Sequence, residues 1–158
     1  MRQIFYSFHY ANDVMRVQQI RNIGAIDDNK PVSVNQWENI RKSGEASIKK
    51  WIDENMNFRS CVVVLIGSET ADREWVKYEI RHAWETGKAL MGIYIHNLKD
   101  PHTGTCSKGR NPFEDFEVNG INLSRLVPCH DPITWNAYGD IRSHLGEWVE
   151  DAIANKKN

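Results

Sequence analysis

The 158 residues are 41% hydrophobic and 26% charged, with 20 basic against 21 acidic side chains and a net charge of -1. That length and composition suit one globular domain spanning 1–158, and the charge balance offers no global attraction to nucleic acid or to an anionic membrane. No apolar run approaches the roughly 20 residues of a membrane helix. The opening MRQIFYSFHY lacks the apolar stretch of a signal peptide, and Cys61, Cys106 and Cys129 have no regular spacing, which together point to a reduced, cytoplasmic protein.

Ile4 to Phe8 form a β-prone run, followed by a helix that Asn12 or Asp13 can cap. Val14, Val17 and Ile20 give that helix its apolar side, and Gly24 is its stop. Residues 25–39 are mixed, with Pro31 and a Val32-Ser33-Val34 run that suits an edge strand. A second helix is expected over 39–55, with Ile48, Trp51 and Ile52 on one face and Glu45 paired to Lys49. SCVVVLIG, residues 60–67, is continuously apolar and valine-rich, the signature of a strand buried on both faces of a parallel sheet. DREWVKYEIRHAWETGK, residues 72–88, reads as one amphipathic helix, and ALMGIYIH, residues 89–96, as the next strand. Residues 97–131, with three prolines and three glycines, read as a long loop region of the kind that carries function. A last helix over 138–154 places Ile141, Leu145, Trp148, Val149, Ala152 and Ile153 on one side. Strands alternating with helices imply an α/β fold, a mainly parallel sheet with helices on both faces.

At about 100° per residue, Val76, Ile80, Ala83, Trp84 and Gly87 share the core arc of the 72–88 helix. Glu79 falls just outside that arc beside Ala83, next to Trp75 at i−4. A surface carboxylate paired with Lys77 or Arg81 is the ordinary explanation. The alternative is a carboxylate facing the ligand crevice that open α/β sheets form at the carboxyl ends of their strands.

Trp75 to Glu79 has the form W-x-x-x-E and follows a serine at the end of the valine-rich strand, and FYSFHYAND, residues 5–13, is an aromatic strand with a central serine leading to an aspartate. Together these segments resemble the TIR domain. FYSFHYANDVMRVQQIRN, CVVVLIGSET, REWVKYEI and SKGRNPFE narrow the resemblance to the TIR-like proteins of the Thoeris anti-phage system, the ThsB group, over residues 2 to about 116. The resemblance implies a flavodoxin-like TIR-type fold. It also implies an enzyme that cleaves NAD+ at the nicotinamide–ribose bond and makes a cyclic or otherwise modified ADP-ribose signal. A separate effector reads that signal, with a phage-derived trigger and self-association as accompanying expectations.

Breaking this bond passes through an oxocarbenium-like state from a leaving group that is already cationic, so one placed carboxylate suffices. Glu79 is the candidate catalytic residue. Ser7, Phe8 and His9, which the TIR match puts at the end of the first strand facing the crevice, are candidate substrate contacts with Tyr10, Trp75, Asn111 and Phe113. Arg16 or Arg110 could meet the diphosphate. Phe5 reads better as core. No G-x-G-x-x-G occurs, so NAD+ is expected as substrate rather than bound cofactor, and His102, Cys106, Cys129 and His130 match no common zinc spacing, so no metal is expected. The alternative is a non-catalytic TIR-type interaction module. A phosphoacceptor domain would want an aspartate at a strand end, where this chain has Ile66-Gly67-Ser68.

Overall fold

The computed structural model describes residues 2–24, 27–28, 39–40 and 42–156. Its frame follows from the apolar runs. Cys61–Ile66, strand β3, is buried at every position, so it can only lie in mid-sheet with both faces covered. It pairs in parallel with β1, Gln3–Ser7, on one side and β4, Ala89–Tyr94, on the other. A short β2, Asp27–Asp28, lies beyond β1. Cys129–His130 adds an outer parallel strand beside β4. The hairpin between them is β5, Glu117–Val118, and β6, Ile121–Asn122, which makes Cys129–His130 strand β7. The sheet order β2-β1-β3-β4-β7 is that of a flavodoxin-like fold, as the sequence led us to expect.

Pleating divides the side chains between two cores. Ile4, Tyr6, Val63, Leu65, Met91 and Ile93 pack against helix α1, Tyr10–Arg21, and the C-terminal helix. Phe5, Val62, Val64, Ile66 and Leu90 pack on the opposite side against α2, Glu45–Met56, and α3, Glu74–Glu85. The C-terminal helix, α4, runs Ala137–Lys156 and buries Ile141, Leu145, Val149, Ala152 and Ile153, with Trp148 half-buried against the same core. By this alternation Ser7 shares a face with Phe5 and points toward α3.

Several boundaries differ from the sequence expectation. Helix α1 starts at Tyr10 with His9 as its N-cap, so Asp13 lies inside the first turn and is buried rather than capping the helix. Gly24 does end that region, at φ +71°. Glu45 and Lys49 form the expected ion pair at 3.2 Å. The segment 72–88 holds one helix, shorter at both ends than expected. A 3-10 turn, Thr70–Asp72, precedes α3, which stops at Glu85, and Gly87 is an exposed turn residue at φ +76° rather than part of the core stripe. The 97–131 region holds a 3-10 turn at Pro112–Asp115, the hairpin, a second 3-10 turn at Leu123–Arg125 and β7, so it is not simply loop. The Val32-Ser33-Val34 expectation lies outside the described residues. No helix among the described residues is long and apolar enough to cross a membrane.

Close backbone approach fixes the carboxyl end of β3. A side chain at Gly67 would fall on the Asp13 carboxylate, and one at Gly109 would fall on the Gly67 carbonyl. The Asp13 head cannot swing clear, because Arg16 holds it at 2.8 Å. Gly67→Ala is therefore expected to lower stability by about 1–3 kcal/mol in urea unfolding. Gly146→Ala, on α4 with open space around it, should be neutral or slightly stabilising. Equal behaviour of the two variants would refute the close approach.

Candidate active site

The site begins where β1 ends. Ser7 is the last residue of that strand and fully buried. Its hydroxyl donates to Glu79 Oε1 at 2.7 Å. Glu79 sits in the second turn of α3 and is only 8% exposed, among the buried residues of that helix with Val76, Ile80 and Ala83. The helical wheel put it outside the core stripe. The difference arises because Ser7 is small, so α3 can turn its edge over the strand end and bring a polar side chain inward where a large apolar residue would have excluded it.

Burial pushes the Glu79 carboxyl up to about 8, and the Ser7 hydrogen bond pulls it partly back. The group is therefore mostly uncharged at neutral pH when the site is empty. Glu79 Oε2 has no hydrogen-bond partner among the described residues.

A cavity of about 450 Å3 opens above this pair. Phe8, His9 and Tyr10 enter it from the β1–α1 junction, Trp75 and Glu79 from α3, and Trp51 from α2. The Phe8 and Tyr10 rings stack at 6.0 Å, and Trp75 meets Tyr78 edge-on at 5.7 Å. A volume in this range that combines aromatic walls with converging polar groups is the usual form of a small-molecule site. His9 is half-buried, and its Nδ1 is enclosed with no partner among the described residues. Burial first, and then the positive charge of Arg73, hold this imidazole below the ordinary histidine range, while Glu69 acts the other way. It is the neutral ring that faces the cavity.

The structure thus brings together Glu79, Ser7, Phe8, His9, Tyr10 and Trp75. It does not bring in Arg16, Asn111 or Phe113. Arg16 is buried outside the cavity lining, donating to Asp13, to the Leu98 carbonyl at 2.9 Å and to the Gly104 carbonyl at 2.8 Å. It binds the 98–104 segment to α1. Burial chiefly raises the Asp13 carboxyl, against the pull of Arg16. Phe113 is fully buried, packed where Gly92 leaves room above β4. Asn111 caps the Pro112–Asp115 turn by accepting from the Phe113 amide at 2.9 Å, and it lines a separate, more open cavity with Lys108, Arg125 and Cys129. Arg110 is held by Asp115 at 2.8 Å and Asp72 at 3.0 Å. Phe5 is core at 1% exposure.

Arg21 and Arg73 line the cavity in place of the arginines picked from sequence. Their signals were faint. Arg21 closes α1, where a basic residue is ordinary dipole chemistry. Arg73 immediately precedes the W-x-x-x-E helix, and that helix start follows the crevice end of β3.

Glu79 also has a stability consequence. In an unfolded chain it ionises near 4.5, and in the fold near 8. Between these values the unfolded chain has released a proton that the folded chain retains, so this group's contribution to stability falls as pH rises from about 4.5 to about 8 and is constant above. Glu79→Gln removes the effect. Relative to wild type it should gain stability progressively across that window, reaching on the order of a few kcal/mol at pH 8. Denaturant unfolding at pH 5 and pH 8 checks this, and an identical difference at both would contradict the buried, uncharged carboxyl.

A family model described as Thoeris protein ThsB, TIR-like domain, matches residues 5–100, which hold the second half of β1, all of α3 and every residue of the Ser7–Glu79 cavity. The chain is 36% identical over 118 residues to a protein of Bacillus cereus (strain MSX-D12) named as a candidate cyclic ADP-D-ribose synthase, ThsB1. That match covers 72% of this chain and 62% of the relative's length.

Proposed function

The chain belongs to the TIR-like domain family of the Thoeris protein ThsB, and from that premise we propose that it cleaves NAD+ at the nicotinamide–ribose bond. On this reading it releases a cyclic or otherwise modified ADP-ribose as an anti-phage signal to a separate effector. The observation that carries the proposal is the buried Glu79 carboxyl, held by Ser7 at the floor of an aromatic cavity at the carboxyl end of β1. The name of the Bacillus cereus relative points the same way.

The chemistry asks little beyond that floor. The C1′–N1 bond breaks, and nicotinamide leaves with the bonding pair as a neutral molecule. The positive charge passes to the ribose oxocarbenium, which the Glu79 carboxylate stabilises. The carboxyl must lose its proton to act. The cationic nicotinamide riboside supplies the reason, since an opposite charge close by favours the ionised form, more strongly in a dry site than in water. Ser7 fixes one carboxylate oxygen and leaves the other for the sugar. The aromatic walls shield the cation from bulk water, which gives one of the molecule's own hydroxyls the chance to capture it and close a ring.

Nicotinamide release from NAD+ tests this, measured with purified protein and with lysates of phage-infected cells expressing it. Glu79→Gln should lower release by about 100-fold or more, with product masses separating hydrolysis from isomeric cyclisation. Infected cells that are protected equally by wild type and Glu79→Gln, with no nicotinamide released, would overturn the enzyme reading in favour of an interaction module.

Ser7→Ala removes a hydrogen bond that lowers the Glu79 pKa. The rise of kcat/KM with pH, which follows ionisation of Glu79 in the free enzyme, should move to higher pH in this variant. An unchanged profile would show that the carboxyl on β1's face is not the group that controls turnover.

A further inference from the structure

NAD+ carries its cation at one end and a doubly anionic diphosphate in the middle, so a cavity that seats the nicotinamide riboside over Glu79 leaves the diphosphate at its mouth. Resting on the NAD+ reading, we infer that Arg73 is the residue that binds the diphosphate at the mouth of the Glu79 cavity.

Four arginines come into question. Arg16 and Arg110 are held by their own carboxylates and carbonyls, as described. Arg21 lies over the rings of Phe8 at 5.5 Å and Tyr6 at 5.9 Å, so it belongs to the aromatic wall. Arg73 differs from all three. It lines the cavity, and its exposed side chain hydrogen-bonds to no described residue. Arg73 and His9 line the same cavity, and the arginine lies close enough for its charge to act on the His9 ring.

Its place in the chain adds to this. Arg73 is the N-cap of α3 in an extended conformation with no side-chain cap. The first amides of the 12-residue helix therefore lack a capping acceptor from this residue, and an anion beside the guanidinium could meet them as well. The carboxylates at this lip make no ion pair with the arginine. Asp72, which lines the cavity, is matched by Arg110 at 3.0 Å, and Glu69 is tied to α1 by the Asn12 amide at 2.5 Å but keeps its charge. Glu74 remains, exposed in the first turn of α3. A guanidinium suits this task because its planar donors match two phosphate oxygens at once.

Equilibrium binding tests the assignment without any infection trigger. The purified full chain is titrated with ADP-ribose, which carries the diphosphate, and with nicotinamide riboside, which lacks it. Fluorescence of Trp51 and Trp75, both in the cavity wall, reports binding. Arg73→Gln should weaken ADP-ribose by about 10- to 100-fold and leave nicotinamide riboside unchanged, with Arg73→Lys recovering part of the loss. Arg73 is exposed, so both variants should melt as wild type does. If Arg73→Gln leaves ADP-ribose binding unchanged, or weakens both ligands alike, the assignment is wrong while the NAD+ reading stands. If neither ligand binds to the wild-type chain, the NAD+ reading falls and takes this inference with it.

Discussion

A carboxyl group enclosed against the end of a strand is the constraint around which this molecule is arranged. Ser7 and Glu79 are 72 residues apart in sequence and share one 2.7 Å hydrogen bond. A neutral serine can steady the carboxyl but cannot neutralise its charge, so the fold keeps the group protonated at rest. A glutamine or an apolar residue at this position would make a more stable protein. Destabilising chemistry of this kind concentrates at working sites, where stability is traded for reactivity.

The rest of the sheet serves that arrangement. Parallel order 2-1-3-4 with an added outer strand sets the carboxyl ends of β1 and β3 side by side at the point where the strand order reverses, and the cavity lies at the β1 end, walled by α2 and α3. Helix α3 follows β3 and brings Glu79 back over Ser7. The Asp13–Arg16 pair, which sequence reasoning split between a helix cap and a phosphate ligand, instead ties α1 to the 98–104 segment and packs against Gly67 at the end of β3.

Much of this was legible in the residues. The Cys61–Ile66 run could only be a central strand, and the 3.6-residue stripes located α3 and α4 to within a turn. The W-x-x-x-E segment and the aromatic-serine strand brought together most of the cavity before any coordinates were considered. What escaped the sequence has physical reasons. The two-residue strand Cys129–His130 is too short for a periodic signal and follows a proline, so it is a strand only because β4 offers it an edge. Phe113 looked like a pocket wall because its loop is rich in turn residues, yet Gly92 opens a space over β4 that only a large apolar side chain can fill. Arg16 was expected to meet the diphosphate, and nothing in the local pattern shows that carbonyls from 98 and 104 will take its donors instead. The depth of Glu79 depended on the smallness of a residue in another element, which a wheel drawn for one helix does not include.

The measurement that bears most directly on the central claim is the titration of the Glu79 carboxyl itself, followed by carbon NMR on protein labelled at glutamate, with Glu79→Gln to assign the resonance. The account predicts a midpoint about 8 in the free protein, moving down when the cationic nicotinamide riboside is added. A midpoint in the ordinary carboxylate range, unmoved by that ligand, would mean that the group is neither desolvated nor facing the bound cation, and the proposed site would be wrong at its centre.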